Sequence, residues 1–492
     1  MSADDHARTD AVREAAARHH GLPLVPQPTQ DEKDPLRWPR TLKLAALAAT
    51  AFVNFTANFA GAGLSYNFLL LGIGNLIWVP LGVKYGKRAS LLISTLILFA
   101  ILIWTAKETT FNGLLAARCL SGFASAAGES IVPSIVSDIF FLHERAAMMS
   151  AYTILASSAT AIGPLLASFI IEYSRGGWVD YAWVCAALAG ANTVAIYLLY
   201  PESNFNRVEV PMHEISTLEI QLRDNDAAKG ITLRTETMSE HQVSVVEKPW
   251  TSIWTAFVTV DEHAKILEVF IRPLMMLFKP SVFLAVYIYG TSLAAQIILI
   301  FAFPSLLMAP PYLFSGSSIG LMQIAAIIGF VIGSYAGGYA ADTITAAVIR
   351  RHRGAVYAEQ RLIALIPGCL IAPVGCILIA FACSEKLQWV AIAIGFGFVS
   401  FGTIYGPNIA ITYVVECYPR HAAECLVAIN VFKNFVAFLF LYVAVDWVSS
   451  RGWIEVYMIM FMLVSLGMLS AIPFYFFGRK WRNETETTFV NV

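Results

Sequence analysis

The most constraining feature of this sequence is a series of long apolar segments that carry almost no charge. No Asp, Glu, Lys or Arg occurs in the 40 residues from Leu44 to Val83. Because about 20 apolar residues suffice for a helix to cross a bilayer, this stretch alone accommodates two membrane spans. Charged residues make up 14% of the chain, against about 25% in soluble domains. We therefore predict an all-α polytopic membrane protein surrounded by a lipid bilayer.

The apolar segments form two groups of six, separated by a long polar stretch. We predict a disordered cytosolic tail, a first six-helix bundle, a cytosolic central loop, a second six-helix bundle and a cytosolic C-terminal tail, at residues 1–40, 41–200, 201–279, 280–478 and 479–492. Near the end of the central loop, Val260–Phe278 has the pattern of an amphipathic helix lying on the inner membrane surface.

The distribution of Lys and Arg predicts the orientation of the spans. With the N-terminus inside, the inner loops and the C-terminal flank carry twelve of these residues, and the outer loops carry four. Positive residues accumulate on the cytoplasmic side of membrane proteins, so both termini and the central loop are predicted to be cytosolic. The formal net charge of −1 indicates no nucleic-acid partner.

The sequence contains no pattern that predicts an enzyme. Seven cysteines are present without a C-x-x-C pair, and Cys369, Cys376 and Cys383 recur at seven-residue intervals on one predicted helix. Packing on one helix face explains this spacing better than a metal site or disulfides. Walker, G-x-S-x-G and H-E-x-x-H motifs are missing. We predict no cofactor and no metal, and expect any transport to be driven by an ion gradient.

The fourth predicted span carries two charged residues inside apolar sequence, Arg118 and Glu129, with Gly122 and Ser125 between them. Offsets of 4, 7 and 11 residues return to one helical face. Arg118 and Glu129 therefore share a stripe but lie about 16 Å apart, too far to pair with each other. A charge within the membrane favours a functional site, here a proton-linked carboxylate and a cation. The alternative is a structural ion pair between each residue and another helix.

Other motifs predict conformational roles. The fifth predicted span contains Gly163-Pro164, which either seals one bundle against the other or is a packing kink. The turn after the second span carries Gly86-Lys87-Arg88, and the turn after the eighth carries Asp342, which weakly suggests an internal repeat.

Polar residues within several spans are candidates for a substrate cavity between the bundles. The tenth span contains Tyr405-Gly406-Pro407-Asn408, which predicts a break near mid-span, and Lys433 lies deep in the eleventh. Broken helices and polar groups near the midplane are typical of transporter binding sites. For Lys433 the alternative is snorkelling to an interface, and for the others it is packing between helices. The remaining candidates are Asn54, Asn58, Tyr287, Tyr289, Gln296, Gln323 and Asn430.

Taken with these motifs, the sequence resembles the major facilitator superfamily over nearly all of residues 38–480, and is most similar to its fungal drug:proton antiporters with twelve spans. The resemblance implies two six-helix bundles, a role in proton coupling for Arg118, a helix-5 motif at Ala159…Gly163-Pro164 that favours export, and a plasma-membrane location. The matching segments are Asp34–Pro39, Gly74–Pro80, Asp138–Arg145, Pro249–Trp254 and Lys433-Asn434.

The sequence departs from the pattern of this family at three places. The loop after the second span has Val83 where the family usually carries an Asp, so the salt bridge that the family forms at this loop is in doubt. In the second half, Asp342 keeps the acid. Ala167-Ser168 replaces a Gly-Gly pair. Similar chains have roughly twenty more residues between Leu64 and Ser65, so we expect a shortened first hairpin and a defective outer gate if this gap is genuine.

From these features we expect a proton-coupled exporter of small amphipathic organic compounds that works as a monomer by alternating access. Proton-symport import of a nutrient or an organic cation is the second possibility. The third is a transport-inactive paralogue or sensor, because of the gap at Leu64-Ser65. The cavity residues are too generic to name a substrate.

Overall fold

The computed structural model describes residues 18–19, 22–23, 34–60, 65–204, 266–351, 358–418 and 421–489. Within these residues, twelve helices are long and apolar enough to cross a membrane. The prediction of an all-α polytopic protein is confirmed. The strands β1 (Arg18–His19) and β2 (Leu22–Pro23) form one short antiparallel pair near the N-terminus. The rest of the predicted N-terminal tail before residue 34 lies outside the described residues. Residues 205–265 of the central loop also lie outside them.

We number the twelve membrane-crossing helices as spans 1 to 12. Spans 1 to 6 are Arg40–Ala60, Tyr66–Tyr85, Lys87–Lys107, Phe111–Ile139, Met148–Tyr173 and Trp178–Leu199. Spans 7 to 12 are Pro280–Met308, Gly316–Thr345, Ala358–Ser384, Trp389–Cys417, Ala422–Ala444 and Asp446–Leu469.

Buried apolar side chains form separate clusters in the two groups of spans. Three clusters contain only residues of the first six spans and their flanks. Two others contain residues of the last six spans and their flanks, and one of these two also includes Ala161 and Phe68 from the first group. Each group therefore has its own core, as two six-helix bundles require.

The first two helices are both long enough to cross a membrane. They comprise Arg40–Ala60 and Ser65–Tyr85, with 21 residues each, and residues 61–64 between them lie outside the described part of the chain. The ring of Tyr66, at the start of span 2, lies 5.9 Å from that of Phe438 and 6.4 Å from that of Tyr442 in span 11. Both helices are therefore present despite the short connection, and span 2 contacts the second bundle. A defective outer gate stays a prediction.

Span 10 corrects one prediction, because it is a single helix, Trp389–Cys417, with Pro407 inside it. The predicted break at Tyr405–Asn408 is wrong. Pro407 removes one backbone hydrogen bond, but neighbouring side chains hold the segment in place. The Tyr405 hydroxyl donates to Ala364 O at 2.6 Å, and Thr403 Oγ1 donates to Ser292 O at 3.2 Å.

Irregular backbone occurs in span 8 instead. This span consists of the helices Gly316–Leu321 and Gln323–Tyr335, a π-helical segment Ala336–Ala340 and the helix Ala341–Arg351. A Cβ on Gly337, inside the π segment, would lie 3.3 Å from Tyr405 Cα. The glycine thus lets span 8 approach span 10 closely at the point where the sequence predicted the irregularity in span 10.

Several shorter elements flank the spans. A 3-10 turn at Pro35–Arg37 precedes span 1. Span 9 begins with a 3-10 segment at Ala358–Leu365, which the helix Ile366–Ser384 follows. Spans 11 and 12 form one helical run, Ala422–Leu469, with a kink at Gly452. Span 12 ends at Leu469, nine residues before the predicted end of the second bundle at 478, and a further helix, Ala471–Phe489, follows it.

The predicted amphipathic helix of the central loop is present at Ile266–Met276, while residues 260–265 lie outside the described part. It packs against spans 2 and 11, one from each bundle. Since span 7 begins at Pro280, this helix marks the side of the membrane on which the central loop joins the bundles. We call that side the loop side and the opposite one the far side. In the predicted orientation, the loop side is cytosolic.

Candidate functional site

The candidate site lies where spans 4 and 11 meet, at Glu129. The ammonium group of Lys433 forms an ion pair with Glu129 Oε1, and the two side chains are 6% and 15% exposed. Two amides donate to the other carboxylate oxygen, Asn434 Nδ2 at 2.8 Å and Asn75 Nδ2 at 2.9 Å. Glu129 and Lys433 come from different bundles, so this ion pair connects the two halves of the protein.

A tyrosine completes the environment of Lys433. Its ammonium nitrogen lies 4.1 Å from the ring centroid of Tyr289 in span 7, within the range of a cation–π interaction. Asn430 Nδ2, one helical turn before Asn434, lies 3.5 Å from Glu129 O. Three predicted cavity residues, Tyr289, Asn430 and Lys433, therefore assemble around the predicted proton-coupling residue.

A second polar network begins next to Glu129. Asn54 Nδ2 of span 1 donates to the Tyr152 hydroxyl at 2.7 Å, and that hydroxyl lies 3.3 Å from Gly128 O. Asn58 Nδ2 donates to Asn54 Oδ1 at 3.1 Å. Spans 1, 4 and 5 are thereby linked beside the carboxylate. The predicted residues Asn54 and Asn58 contact each other here rather than the Glu129 side chain.

Sequence reasoning missed three contributors to this site, namely Asn75, Tyr152 and Asn434. Tyr152 lies eleven residues before Gly163, the same offset that places Arg118 and Glu129 on one face, and this spacing could have revealed it. Asn434 was recognised only as the neighbour of Lys433. Nothing in the periodicity of span 2 distinguishes Asn75 from a packing residue.

The other predicted cavity residues form contacts within the second bundle. The Tyr287 hydroxyl donates to Leu463 O at 3.3 Å, and Gln296 Oε1 accepts from Ser400 Oγ at 3.0 Å. Tyr405 is bonded to span 9, as described above, and Asn408 packs where Gly337 approaches. Gln323 is 3% exposed. These contacts favour the packing interpretation for Tyr287, Gln296, Tyr405 and Asn408, and a cavity role for Gln323 stays a prediction.

Arg118 holds the end of span 1. Its Nη1 donates to Ala60 O, the last residue of that helix, and the Tyr181 hydroxyl donates to the preceding carbonyl, Phe59 O, at 2.6 Å. Carbonyl groups at a helix C-terminus have no partner within the helix and carry partial negative charge. The guanidinium group of Arg118 therefore stabilises the far-side end of span 1.

Two predicted motif glycines allow close helix contacts. A Cβ on Gly163 would lie 2.6 Å from Phe59 O, and a Cβ on Gly122 would lie 3.0 Å from the Asn67 carbonyl carbon and nearer still to its oxygen. Gly163 thus brings span 5 against span 1, and Gly122 brings span 4 against span 2. At Gly163-Pro164 this contact lies within the first bundle, which supports the packing interpretation. A sealing role remains a prediction.

Comparison with known proteins gives the family. The model of the Major Facilitator Superfamily matches residues 40–441. The chain belongs to the major facilitator superfamily. Since members of this superfamily that it resembles are transporters, the prediction that it is not an enzyme is confirmed.

Among fungal members, the chain is similar to "Protein HOL1" of Saccharomyces cerevisiae, with 26% identity, 94% of this chain and 90% of the relative covered. It is also similar to "Probable efflux pump mfs2" of Aspergillus flavus, with 26% identity over 77% and 83%, and to "Probable drug/proton antiporter YHK8" of Saccharomyces cerevisiae, with 26% over 72% and 63%. The solved human organic anion transporter MFSD10 (TETRAN) shares the fold, with a TM-score of 0.52 and 13% identity over 90% of this chain and all of that one.

The turn after span 2 shows how this superfamily member is held without an acid at Val83. Lys87 forms an ion pair with Asp138 at the end of span 4. Glu202 accepts hydrogen bonds from the backbone N–H groups of Lys87 at 3.1 Å and Arg88 at 3.0 Å. Burial raises the pKa of Glu202, and these N–H donors oppose that shift. Gly86 adopts φ 99°, which favours glycine at this turn.

The corresponding turn of the second bundle uses an arginine between two acids. Arg361 lies 2.9 Å from Asp342 Oδ1 and 2.9 Å from Glu416 Oε1. The first bundle keeps the equivalent of the Arg361–Glu416 pair in Lys87–Asp138. In place of the acid, Asn204 Nδ2 donates to Val83 O at 3.1 Å. These contacts partly replace the salt bridge that the sequence put in doubt at Val83. The predicted conformational roles of Gly86, Lys87, Arg88 and Asp342 stay predictions, and their contacts at these turns agree with them.

Proposed function

We propose that this major facilitator protein is a proton-coupled secondary transporter that exports small amphipathic organic compounds. The observation that carries the proposal is the Glu129–Lys433 ion pair between the bundles. A titratable carboxylate that faces the other bundle can link proton binding to the movement of one bundle against the other. The names of two relatives, a probable efflux pump and a probable drug/proton antiporter, support this reaction and direction.

The coupling follows from the charges in the site. With Glu129 ionised, attraction to Lys433 is strong because both groups are sheltered from water. A proton on Glu129 removes the negative charge and leaves Lys433 with only the Tyr289 ring and neutral dipoles. Separation of spans 4 and 11 then costs less, and the bundles can rock apart. Alternating access around a site at the bundle interface is the general scheme for such transporters.

Substrate would bind beside this ion pair. Tyr289 offers an aromatic face, and Asn58 and Asn430 offer amide groups from opposite bundles. A mixture of apolar surface and a few polar groups is typical of small-molecule sites, and it suits compounds with both apolar and polar parts. We place the protein in the plasma membrane with both termini cytosolic. A tag at each terminus that is accessible in intact cells would contradict this orientation.

One observation favours a second candidate, proton-symport import of an organic cation. The ammonium group of Lys433 occupies a position between a carboxylate and an aromatic ring, and a substrate ammonium group would suit the same partners. The Glu129 carboxylate would then exchange Lys433 for the ammonium group of the substrate during part of the transport cycle.

Transport assays separate these functions. Cells with and without the protein are loaded with the amphipathic dye rhodamine 6G, and retention is measured with and without a collapsed proton gradient. If the protein exports the dye, cells that have it retain less dye than cells without it. This difference should disappear when the proton gradient collapses and in the Glu129→Gln variant. Higher retention would support import, and equal retention for this dye and a panel of amphipathic cations would support an inactive paralogue.

We expect transport to need Arg118, because its hydrogen bond to Ala60 O stabilises the end of span 1. Arg118→Ala removes a charged donor from the Ala60 carbonyl, a contact worth about 1.5–3 kcal/mol, so we expect a lower unfolding temperature and strongly reduced dye export. Arg118→Lys, which keeps the charge, should retain most of the stability. Normal transport by Arg118→Ala would refute a role in coupling, and an unchanged unfolding temperature would refute the structural role. If Arg118→Lys is stable but uncoupled from the gradient, a specific role of the guanidinium in coupling is supported.

A further inference from the structure

Spans 5 and 8, from different bundles, touch at the far side with almost no clearance. A Cβ on Gly320 would lie 2.8 Å from Ser168 Cβ, closer still to Ser168 Oγ, and 3.3 Å from Leu165 O. Ser168 Oγ is itself fixed by donating to Leu165 O at 2.7 Å. The side chain of Ser168 therefore fills the space that only a glycine at position 320 leaves open.

A carboxylate strengthens the same contact one helical turn further out. Glu172 Oε2 of span 5 accepts a hydrogen bond from the backbone N–H of Ser317 in span 8, at 2.5 Å. Residues 165, 168 and 172 are spaced by three and four, so they lie on one face of span 5. That face meets the first turns of span 8 through one steric fit and one charge-assisted hydrogen bond.

The opposite flank of the far side is also closed. Tyr66 of span 2 packs against Phe438 and Tyr442 of span 11, and Glu129 and Lys433 join the bundles deeper in the membrane. Opening the far side must therefore break the contact between spans 5 and 8. Glu172 is the carboxylate in this contact, and it bonds to backbone rather than to a cation.

We propose that Ser168, Glu172 and Gly320 form a latch that sets how often the far side of the transporter opens. Ser168 and Gly320 permit the approach of the two bundles, and Glu172 holds them together through Ser317. The latch rests on alternating access, as the proposed function does, but not on the substrate, the direction of transport or the proton.

The latch is tested by measuring a distance rather than transport. Spin labels are attached to the variants Tyr173→Cys and Leu313→Cys. Tyr173, at the end of span 5, is 73% exposed, and Leu313, just before span 8, is 69% exposed. Cys119 and Cys369, the two cysteines that are not buried, are replaced by Ser. We expect a single short distance in the otherwise unaltered protein.

Gly320→Ala should add a population with a longer distance, because the new Cβ cannot fit beside Ser168. Adding Ser168→Gly should restore the short distance, since it removes both clashing atoms. Gly338→Ala is the matched control on the same span, because its Cβ would make an ordinary 3.4 Å contact with Ser150 Oγ. It should leave the distance unchanged.

Glu172→Ala should shift the ratio of open to closed molecules by roughly tenfold, as expected for loss of a charge-assisted hydrogen bond. Glu172→Gln keeps an acceptor oxygen but loses the charge, so its distribution should lie between those of the parent and Glu172→Ala. These exposed substitutions test the latch even if Gly320→Ala fails to fold. Unchanged distances in Glu172→Ala, or a long-distance population in Gly320→Ala that Ser168→Gly does not reduce, would overturn the proposal. A normal latch in a protein that fails the dye assay would refute the proposed function alone.

Discussion

Lys433→Met will abolish transport and destabilise the protein, whereas the double variant Glu129→Gln with Lys433→Met will regain stability without regaining transport. Among the described residues, Lys433 is the cation that pairs with the partly buried Glu129 carboxylate. Removing one member of a buried ion pair leaves an uncompensated charge and costs about 3–5 kcal/mol. Replacing both members by neutral groups removes that penalty, yet the protein then lacks the carboxylate on which proton coupling depends.

Thermal unfolding of the purified protein in detergent measures the stability of the four members of this cycle, and dye export measures function. Arg451→Gln is the control, because Arg451 and Glu455 form an exposed pair at 4.0 Å with side chains 66% and 48% exposed. Exposed pairs of this kind contribute little to stability. A Lys433→Met variant as stable as the parent would show that the ion pair does not hold the bundles, and full transport by the double variant would remove Glu129 from the mechanism.

Gly122→Ala will lower stability although alanine is the better helix former. Its Cβ would overlap the backbone carbonyl of Asn67 in span 2, and a backbone group cannot rotate away as a side chain can. Overpacking of this kind costs about 1–3 kcal/mol, which exceeds the gain of at most about 1 kcal/mol from helix propensity. We expect a lower unfolding temperature and reduced transport.

Gly82→Ala is the matched control at the same interface between spans 2 and 4. Its Cβ would lie 3.2 Å from Ile131 Cδ1, the end of a flexible side chain. We expect its unfolding temperature to equal or exceed that of the parent protein. Equal stability of Gly122→Ala and Gly82→Ala would mean that spans 2 and 4 can separate at Asn67 without cost, contrary to the close contact seen here.

Periodicity predicted faces of helices correctly but could not identify partners. It placed Arg118 and Glu129 on one stripe of span 4, and both have polar contacts outside that span. Their partners differ in kind, a helix-end carbonyl for Arg118 and a lysine of the other bundle for Glu129. The sequence left open the choice between a functional carboxylate and a structural ion pair. The structure shows the ion pair of Glu129 with Lys433, and a role of Glu129 in proton coupling remains a proposal.

Proline and glycine signals were harder to assign. Pro407 predicted a break in span 10, yet the helix continues through it because Tyr405 and Thr403 are bonded to neighbouring spans. The irregular segment occurs in span 8, at Ala336–Ala340. A proline reports only a missing donor, while the path of the backbone depends on the helices packed around it.

The sequence by itself determined that the chain crosses a membrane in twelve helices, because bilayer thickness imposes a length and an apolar composition on every span. It also placed within these helices the charged residues Arg118, Glu129 and Lys433, which are energetically unfavourable inside a bilayer. Only the tertiary structure decided that Glu129 meets Lys433, Asn434 and Asn75, and that Glu172 meets Ser317. Such contacts depend on how helices distant in sequence are positioned and rotated against one another, and helical periodicity contains no information about the opposing surface.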